Sequence, residues 1–565
     1  MPGYAGNGRI INQSGYPCTI CAETGWNCCR IPAGLIFLLS PVAVKLSNLM
    51  NETAVDSIEL SLFVSRIKAI CQEMGAVLQY SAFSPNIKDR LDFSCAVFDA
   101  RGELCAQAAH IPVHLGSMAF AMRDIVSRFQ WQDGDMLILN DPFLGGTHLP
   151  DITLLAPVFN GKQLLGFAAN RAHHADVGAT TPGSMPLTQS IHEEGVLIPP
   201  GFLYRNHELL DEATGELLQR VHIPEKTGAD LSAQVSSIRK GVTLFKNLIS
   251  DTGSTEFESM LVELNDYGEK LALTAINAIP EGTYTCHDVM DDDGLGSTDI
   301  PIAATINISN NLVSVDFDGT ADQVRGNINC PISVTAAAVY YCFYSLMPEH
   351  TPACAGCFRP IQLIARPGSL VNAAYPAAVT AGNVETSTRL VDVILGALAG
   401  AIPDRIPAAS HGSMNNLAMG TGSWDYYETL GGGMGAGPTT SGQQAVQTHM
   451  TNTLNTPIEI LEMNYPLRIK QYGIRRQSGG RGRQRGGDGL IRQYQFLQPC
   501  TVTMLSERRR HAPPGLAGGS DGLPAETTLN GSRLPGKFTI QAASGDILTI
   551  RTAGGGGWGC DTSPD

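Results

Sequence analysis

The chain has 565 residues, which is enough material for roughly three or four domains. Its 53 acidic and 38 basic side chains give a formal charge of −15, which excludes a polyanion such as nucleic acid as the expected partner. Apolar residues make up 43% of the chain and charged residues only 16%, so the composition predicts a large buried core and excludes a disordered chain.

The placement of the cysteines and the hydropathy of the chain indicate the cellular compartment of the protein. Ten of the 14 cysteines follow residue 70, several of them in apolar, strand-like runs where a buried reduced thiol is usual. The longest apolar candidate, 33–44, is interrupted by Ser40 and Pro41 and is shorter than a membrane span. We therefore expect a cytoplasmic protein with no membrane association.

Residues 1–49 differ from the rest of the chain because they lack any clear apolar period. Four cysteines lie within them, and a zinc knuckle is one interpretation: Cys18, Cys21, Cys28 and Cys29. Adjacent cysteines after a Cys-x-x-Cys pair are poorly spaced for a tetrahedral site, so an atypical N-terminal extension is the favoured interpretation.

Residues 50–280 are predicted to form one unit of helices and strands, which contains the candidate metal site described below. Apolar residues at three- and four-residue steps predict a core helix over 58–78. Apolar and alternating runs predict strands, the first two forming a hairpin, at 92–98, 104–108, 136–139, 152–159 and 164–170. Helices are predicted at 231–250 and 255–278.

The apolar pattern in the second half of the chain predicts another hydrophobic core. Alternation over 283–317 predicts antiparallel strands, and helices are expected at 334–346 and 389–401 in a middle α+β domain over 281–430. Residues 431–565 form a glycine-rich region with strands, in which 478–489 is predicted to be a long hairpin or an exposed loop. The predicted fold class is therefore multidomain α+β, with helices and mainly antiparallel or mixed sheets.

Histidines cluster in the first unit, where six of the 13 fall between His110 and His192. His148 and Asp151 are three residues apart in a turn that contains proline, so both side chains can reach one point. A second strand brings His173 or His174, and since neighbours in a strand face opposite sides, only one of the two should bind a metal.

Two imidazoles and two carboxylates, the second from Asp92, would suit Mn, Fe or Zn with room for a water molecule. The alternative is that these histidines are satisfied core or turn residues and that the aspartates are caps. Spacing alone leaves both interpretations open.

Ordered motifs give the sequence a specific resemblance. They are Asp89-Arg-Leu-Asp-Phe-Ser94, His110-Ile-Pro-Val-His-Leu-Gly-Ser-Met118, Asn140-Asp-Pro-Phe-Leu-Gly-Gly-Thr-His-Leu-Pro-Asp151, His173-His-Ala-Asp-Val-Gly178, Glu194-Gly-Val-Leu-Ile-Pro-Pro200, Gly356-Cys-Phe-Arg-Pro-Ile361, Gly382-Asn-Val-Glu-Thr-Ser387, Glu428-Thr-Leu-Gly-Gly-Gly433 and Thr451-Asn-Thr-Leu-Asn-Thr-Pro-Ile-Glu459. From about residue 50 to its C-terminus, the chain resembles the hydantoinase B/5-oxoprolinase family. Position 89 departs mildly from it, with Asp where the family usually has Glu.

The resemblance implies one subunit of an ATP-dependent hydrolase of cyclic amides, such as 5-oxoproline or a hydantoin. A hydantoinase A-type ATPase subunit would be its partner in a homo- and hetero-oligomer, and ATP would bind that partner rather than this chain. The partner would activate the amide with ATP, and a divalent metal ion here (Zn, Mn or Fe) would activate water.

The resemblance also implies roles for individual residues. The metal ligands would be Asp92, His148, Asp151 and His173. The catalytic or proton-transfer candidates are His174, Asp176 and Glu194. Substrate contacts are expected from His114, Cys357, Asn383 and Glu385, although turn stabilisation is an equal alternative for Glu194, Asn383 and Glu385.

Other features admit functional interpretations that we do not favour. The run Gly431-Gly-Gly-Met-Gly-Ala-Gly437 lacks the spacing of a phosphate-binding loop, and no P-loop motif occurs in the chain. Cys354 and Cys357 could be a redox pair, but no thioredoxin-like context precedes them, so Cys354 is interpreted as incidental. The arginines of 475–485 lack interleaved aromatic residues, which favours a solvated or subunit-contact role.

Two alternative functions stay open at this point. One is a subunit of an ATP-dependent ketone carboxylase, in which the same metal would hold an enolate. The other is a non-catalytic scaffold for the ATPase partner, which would have no need of a bound transition metal.

Overall fold

A computed structural model describes residues 57–108, 111–210 and 212–561. The predicted extension over 1–49, with its four cysteines, lies outside the described residues and stays a prediction. None of the helices in the described ranges is both long and apolar enough to cross a membrane.

A seven-stranded antiparallel sheet organises the first part of the chain. In chain order its strands are β1 Phe93–Asp99, β2 Leu104–Gln107, β3 Met136–Leu139, β4 Asp151–Asn160, β5 Gln163–His173, β6 Gly201–Arg205 and β7 Glu208–Leu209. Their spatial order is β2-β1-β5-β4-β3-β6-β7, so β5 lies between β1 and β4. The predicted strands and the hairpin are confirmed, and β5 continues three residues further than predicted because both of its edges are paired.

Helices cover both faces of this sheet. They are α1 Ser57–Ser81, α2 Pro85–Lys88, α3 Pro112–Ser127, α4 Glu212–Arg220, α5 Pro224–Thr252 and α6 Ser254–Asn277. Alternate residues of β1 face opposite ways: Val97 packs in the core that contains α1 and α5, whereas Phe98 packs in the core that contains α3. The strands are therefore buried on both faces, which explains their continuous apolar runs.

The second sheet is smaller and carries one parallel pair. Its strands are β8 Gly282–Asp292, β9 Thr298–Ser309, β10 Leu312–Asp316 and β11 Ile361–Ile364, in the order β11-β10-β9-β8 with β10 parallel to β11. Helices α7 Ile332–Tyr344 and α8 Ser387–Ala399 pack with it in a core that extends from Ile111 to Leu505. The helices and antiparallel strands predicted here are confirmed, and the predicted domain boundaries at 280 and 430 stay predictions.

Two further sheets and one short helix, α9 Ile458–Asn464, make up the last part. One sheet has the order β13-β12-β16-β19, with strands β12 Asn416–Thr421, β13 Trp424–Glu428, β16 Cys500–Leu505 and β19 Lys537–Ala542. The other has the order β14-β15-β20-β17-β18, with strands β14 Leu467–Arg475, β15 Gly489–Phe496, β17 Glu526–Leu529, β18 Ser532–Leu534 and β20 Ile547–Arg551. Mixed helices and sheets confirm the predicted α+β class.

The glycine-rich segments pack backbone against backbone. Gly487 donates to the carbonyl of Met434, and Gly556 donates to the carbonyl of Ala409, both at 2.8 Å. A Cβ at Gly487 would lie 1.8 Å from the carbonyl oxygen of Gln443, so a side chain cannot fit there. The loop predicted at 478–489 has no helix or strand before β15, and its arginines are exposed, but several of its glycines are buried.

Candidate metal centre

Three strands bring polar side chains to one end of the first sheet. Asp151 is the first residue of β4 and His173 is the last residue of β5, and the two lie directly opposite each other in the antiparallel register. Asp92 immediately precedes β1, and its carbonyl oxygen accepts a hydrogen bond from the His173 N–H at 3.0 Å. The pairing of the strands therefore sets the spacing of these three residues.

His148 joins them from the turn before β4, where its carbonyl oxygen accepts from the Asp151 N–H at 3.0 Å. The Nδ1 atom of His148 lies 3.2 Å from the carbonyl oxygen of Thr380. Since a carbonyl only accepts, Nδ1 carries the hydrogen, and in the neutral ring Nε2 presents a lone pair. That lone pair lies beside Asp151 and His173.

The ligand atoms of His148, Asp151 and His173 all lie within 4.8 Å of one another. The Oδ1 atom of Asp151 is 3.2 Å from His148 Nε2 and 3.2 Å from His173 Nδ1, and the two ring nitrogens are 3.3 Å apart. Two ligands that share an ion through bonds of about 2.0–2.2 Å lie roughly 3.0–3.5 Å apart. The spacing and the donor types therefore fit one divalent ion.

His114 and Thr147 occupy the other carboxylate oxygen of Asp151. His114, on the first turn of α3, places Nε2 3.1 Å from Oδ2, and the Thr147 hydroxyl donates to Oδ2 at 2.6 Å. Asn383 lies 3.5 Å from the same oxygen through its amide nitrogen. Asp151 is thus surrounded by three imidazoles and two polar side chains, all of them buried.

The electrostatics of the cluster favour a positive charge at its centre. Although burial opposes ionisation, His114 and His148 hold the pKa of Asp151 well below its usual range. Burial also opposes the charged form of His148, but Asp151 and the Thr380 carbonyl outweigh it and raise the pKa of this imidazole. Burial lowers the pKa of His173, which keeps its ring neutral and able to bind a metal ion.

The centre opens on a small cavity of about 20 Å³, lined by Asp92, Ile111, Val113, His114, His148, His173, Asn383, Val384, Met414, Tyr427, Thr429, Thr451 and Thr453. This volume is about that of one ion or one water molecule. Asp92 lines the cavity but is not one of the three residues whose ligand atoms converge. Its side chain lies 3.7 Å from the guanidinium of Arg90.

A larger cavity of about 660 Å³ lies elsewhere, and its lining includes Asp288, Asp392, Arg508 and His511 among other polar and apolar residues. None of the site residues predicted from the sequence lines it. We place the candidate site at the smaller cavity because that is where ligand atoms converge.

His174 faces away from the cluster, as the alternation of a strand requires. Its Nε2 atom lies 2.9 Å from the side-chain oxygen of Gln234 on α5. The Gln234 side-chain nitrogen donates to the carbonyl of Ile152 and to Asn170, so His174 contacts the network that joins α5 to β4 and β5. His174 does not line the cavity.

Asp176 and Glu194 hold loops near the cluster rather than lining it. Asp176 accepts hydrogen bonds from the backbone N–H of Gly178 at 2.8 Å and that of His222 at 2.6 Å. Glu194 Oε1 accepts from the backbone N–H groups of Val379 and Thr380, both at 2.9 Å. Since the Thr380 carbonyl contacts His148, Glu194 helps to position His148 through one loop. Burial raises the pKa of Glu194 to about 7.

The structure separates the predicted substrate contacts into two groups. His114 and Asn383 line the cavity, whereas Cys357 and Glu385 do not. Cys357 packs in the core beside Cys354. Glu385 accepts from the Met414 N–H and from Asn416, and burial raises its pKa to about 8.

Sequence reasoning missed Tyr427, which stacks on His173 with ring centroids 4.6 Å apart and an interplanar angle of 13°. Its hydroxyl donates to Asn416 at 2.8 Å, and Asn416 donates in turn to Glu385 at 2.7 Å. Arg90, also missed, lies 4.8 Å from the ring centroid of Tyr427 and donates to its carbonyl oxygen. A buried tyrosine in a strand is usually a core residue, so no signal in the sequence separates Tyr427 from its neighbour Tyr426.

Solved structures of other proteins share this fold. The ATP-dependent caprolactamase from Pseudomonas jessenii superposes with a TM-score of 0.85 at 25% identity, over 90% of this chain and 92% of that one. A nucleotide-free acetone carboxylase superposes with a TM-score of 0.79 at 17% identity, over 89% of this chain and 76% of that one. At 17% identity the second likeness shows the fold alone.

Sequence comparison gives the family directly. The chain is 41% identical to an uncharacterized protein of Methanocaldococcus jannaschii, over 89% of this chain and 91% of that protein. It is 39% identical to 5-oxoprolinase 1 of Arabidopsis thaliana over 90% of this chain, but it spans only 42% of that relative. Residues 56–561 match the family model described as hydantoinase B/oxoprolinase, and the chain belongs to that family.

Proposed function

We propose that this chain is the metal-bearing subunit of an ATP-dependent cyclic-amide hydrolase, and that it opens a lactam activated by a hydantoinase A-type ATPase partner. The observation that carries the proposal is the buried cluster of His148, Asp151 and His173, whose ligand atoms have the spacing of a shared coordination sphere. The proposed ligand set includes Asp92, which lines the same cavity.

The relatives support a lactam as the substrate class. Caprolactam and 5-oxoproline, named in the matched caprolactamase and 5-oxoprolinase, are both cyclic amides. Ketone carboxylation is the second candidate, and its support is the fold shared with acetone carboxylase. The higher identity to the lactam-hydrolysing relatives favours ring opening over carboxylation.

A bound divalent ion would polarise an oxygen of the substrate and lower the pKa of water at this site. His148 and His173 would hold it through ring nitrogens and Asp151 through Oδ1. His114 lies on the opposite carboxylate oxygen of Asp151, where it orients the ligand and can exchange a proton at Nε2. The Asn383 amide oxygen has no hydrogen-bond partner among the described residues and would accept from a lactam N–H.

The remaining predicted catalytic residues fit positioning roles. Glu194 fixes the loop whose Thr380 carbonyl orients His148. His174 and Asp176 anchor the segment that follows β5 to α5 and to the His222 backbone. Because a cavity of about 20 Å³ accommodates an ion but not a lactam ring, its walls must move to admit substrate.

The partner proposal is supported by the ATP dependence named for the matched caprolactamase, together with the lack of a P-loop motif in this sequence. We propose that a hydantoinase A-type ATPase acts with this chain as a separate subunit.

The experiment that tests the metal centre is metal analysis of the purified chain and of Asp151→Asn. Wild type is expected to bind about one Mn, Fe or Zn ion per chain. Asp151→Asn removes a ligand charge while keeping the shape, so its metal affinity should fall at least about 100-fold. Titration of the apo chains by calorimetry measures this difference.

Asp299→Asn is the matched control, because Asp299 also contacts a histidine, His511 at 2.6 Å, but lies at an exposed position. It should bind metal like wild type. Wild-type chain that binds no transition metal after supplementation would contradict the proposal and favour a scaffold role.

A further inference from the structure

Although the sequence alone did not favour a redox pair, we propose that Cys354 and Cys357 form a redox-active dithiol that closes reversibly to an intrachain disulfide. The two Sγ atoms lie 3.9 Å apart, and both side chains are fully buried. The pair lies outside the candidate metal centre, so the inference does not rest on the proposed function.

The backbone already has the geometry that a disulfide needs. The Cys357 N–H donates to the Cys354 carbonyl oxygen at 3.2 Å, which closes a four-residue turn. The ends of such a turn have Cα atoms less than ~7 Å apart, and disulfides join Cα atoms ~4.4 to ~6.8 Å apart. Because the sulfurs already contact each other, side-chain rotation can bring them to bonding distance.

Helix α6 holds the turn and leaves room for the two sulfurs. A Cβ at Gly268 would lie 2.4 Å from Cys354 Sγ and 3.1 Å from Cys357 Sγ, so the sulfurs occupy the space that a side chain would fill. Three residues earlier on α6, Asn265 accepts from the Gly356 N–H at 2.8 Å. The sulfurs are thus positioned by the helix as well as by the turn.

The two thiols are chemically unequal, as in an exchanging pair. The pKa of Cys354 lies below its ordinary value because its contact with the Cys357 thiol and with the backbone N–H groups of Cys357 and Gly356 outweighs burial. The pKa of Cys357 is raised by its contact with Cys354 and by burial. In the proposed exchange Cys354 is the thiol that attacks first.

The exchange balances with a low-molecular-weight disulfide such as oxidised glutathione. The Cys354 thiolate attacks one sulfur of that disulfide and releases the first thiolate, giving a mixed disulfide. Cys357 then loses its proton and attacks Cys354 Sγ, releasing the second thiolate. Two electrons pass from the pair to the co-reactant, and local opening of the buried turn limits the rate.

A metal site is not the better interpretation of the pair. We searched residues 57–108, 111–210 and 212–561 for groups of three or more metal-binding side chains whose ligand atoms converge. The group found there is His148, Asp151 and His173. Cys354 and Cys357 have no third ligand there, and structural zinc requires four.

The experiment is equilibration of the full chain with mixtures of reduced and oxidised glutathione, followed by alkylation and mass spectrometry. Cleavage after glutamate releases the fragment 350–385, which contains Cys354 and Cys357 and no other cysteine. Under oxidising mixtures this fragment should lose about 2 Da and resist alkylation, and under reducing mixtures it should gain two alkyl groups. Equilibrium is approached from both the reduced and the oxidised chain. Agreement of the two then shows that slow entry of glutathione to the buried thiols has not prevented equilibration.

Cys560 is exposed and serves as the internal reporter that exchange has occurred. Cys354→Ser should abolish the 2 Da loss and leave Cys357 alkylated or bound to one glutathione. The inference is overturned if both cysteines of 350–385 are alkylated at every ratio while Cys560 exchanges. It is equally overturned if the wild-type fragment carries glutathione instead of an internal disulfide.

Discussion

Asp151 connects the residues of the candidate centre. Its Oδ1 atom faces His148 and His173, and its Oδ2 atom faces His114 and Thr147. A buried carboxylate with so many neighbours is costly to neutralise, and removal of its charge takes away the group that most favours a positive charge at His148. The centre therefore depends more on this residue than on any single histidine.

Tyr427 is expected to hold the ring of His173 in its binding orientation. Tyr427→Leu removes the stacked ring and should weaken metal binding about 10-fold to 100-fold, the range for groups that orient a ligand. Tyr427→Phe keeps the ring and loses only the bond to Asn416, so its loss should be smaller. Calorimetric metal titration of both variants measures which of them loses more metal affinity.

Tyr426→Leu is the control, because Tyr426 is equally buried on the same strand but packs in a different core. It should lower stability without changing metal affinity. Equal metal affinity for Tyr427→Leu and wild type would show that Tyr427 is only a core residue.

Glu194 should make stability depend on pH. Its pKa rises from 4.5 to about 7 on folding, so the folded state favours the protonated form. The stabilisation that the protonated Glu194 side chain gives to the folded state is fully present below pH 4.5. It is lost as pH rises through about 7, and it amounts to on the order of 3 kcal/mol in total. Relative to wild type, Glu194→Gln should gain stability from pH 5 to pH 8.

Thermal unfolding of both proteins across that range tests this expectation. The exposed neighbour gives the control, since Glu193→Gln should follow the wild-type profile at every pH. A difference between Glu194→Gln and wild type that does not change with pH would contradict the raised pKa.

At the scale of elements, the sequence predicted the strands that build the centre because their apolar runs are long and bounded by turns. The polar turns at the strand ends predicted that His148, Asp151 and either His173 or His174 would lie together, and the choice of His173 came from the family resemblance. Helix α3, which supplies His114, was missed because Pro112, Gly116 and Ser117 weaken its helical pattern. Gly116 is nevertheless required, since a Cβ there would lie 2.5 Å from the Ala337 backbone on α7.

Contacts distant in sequence could not be predicted. Tyr427 reaches His173 from a strand more than 250 residues away, and Thr380 reaches His148 across 232 residues. Neither has a local pattern that distinguishes it from a core or loop residue. The backbone packing of the glycine segments was missed for the same reason, because glycine-rich sequence is also typical of exposed loops.

The glycine segments should tolerate no added methyl group. Gly487→Ala places a Cβ 1.8 Å from a carbonyl oxygen, so the backbone must shift at a cost of roughly 1–3 kcal/mol or more. The unfolding temperature should fall by about 2 °C or more. In Gly473→Ala the added Cβ meets no atom within 4 Å, so this control should change little, and an equal response of the two would contradict close packing.

At the scale of the whole molecule, the chain has the fold and the family of lactam-hydrolysing proteins but spans only part of its 5-oxoprolinase relative. Its sequence has no P-loop, and the polar cluster in its described part suits a metal ion rather than a nucleotide. Because amide hydrolysis is slow without activation, we expect this chain alone to open few lactams, with or without ATP.

The most direct test of this proposed division of labour is to measure phosphate release and ring-opened acid for the chain alone, the proposed ATPase partner alone and their mixture, over a panel of lactams. We predict that only the mixture forms phosphate and ring-opened acid in equal amounts, and that Asp151→Asn abolishes acid formation by the mixture. Sustained ATP-coupled ring opening by this chain, purified free of any partner, would contradict the account.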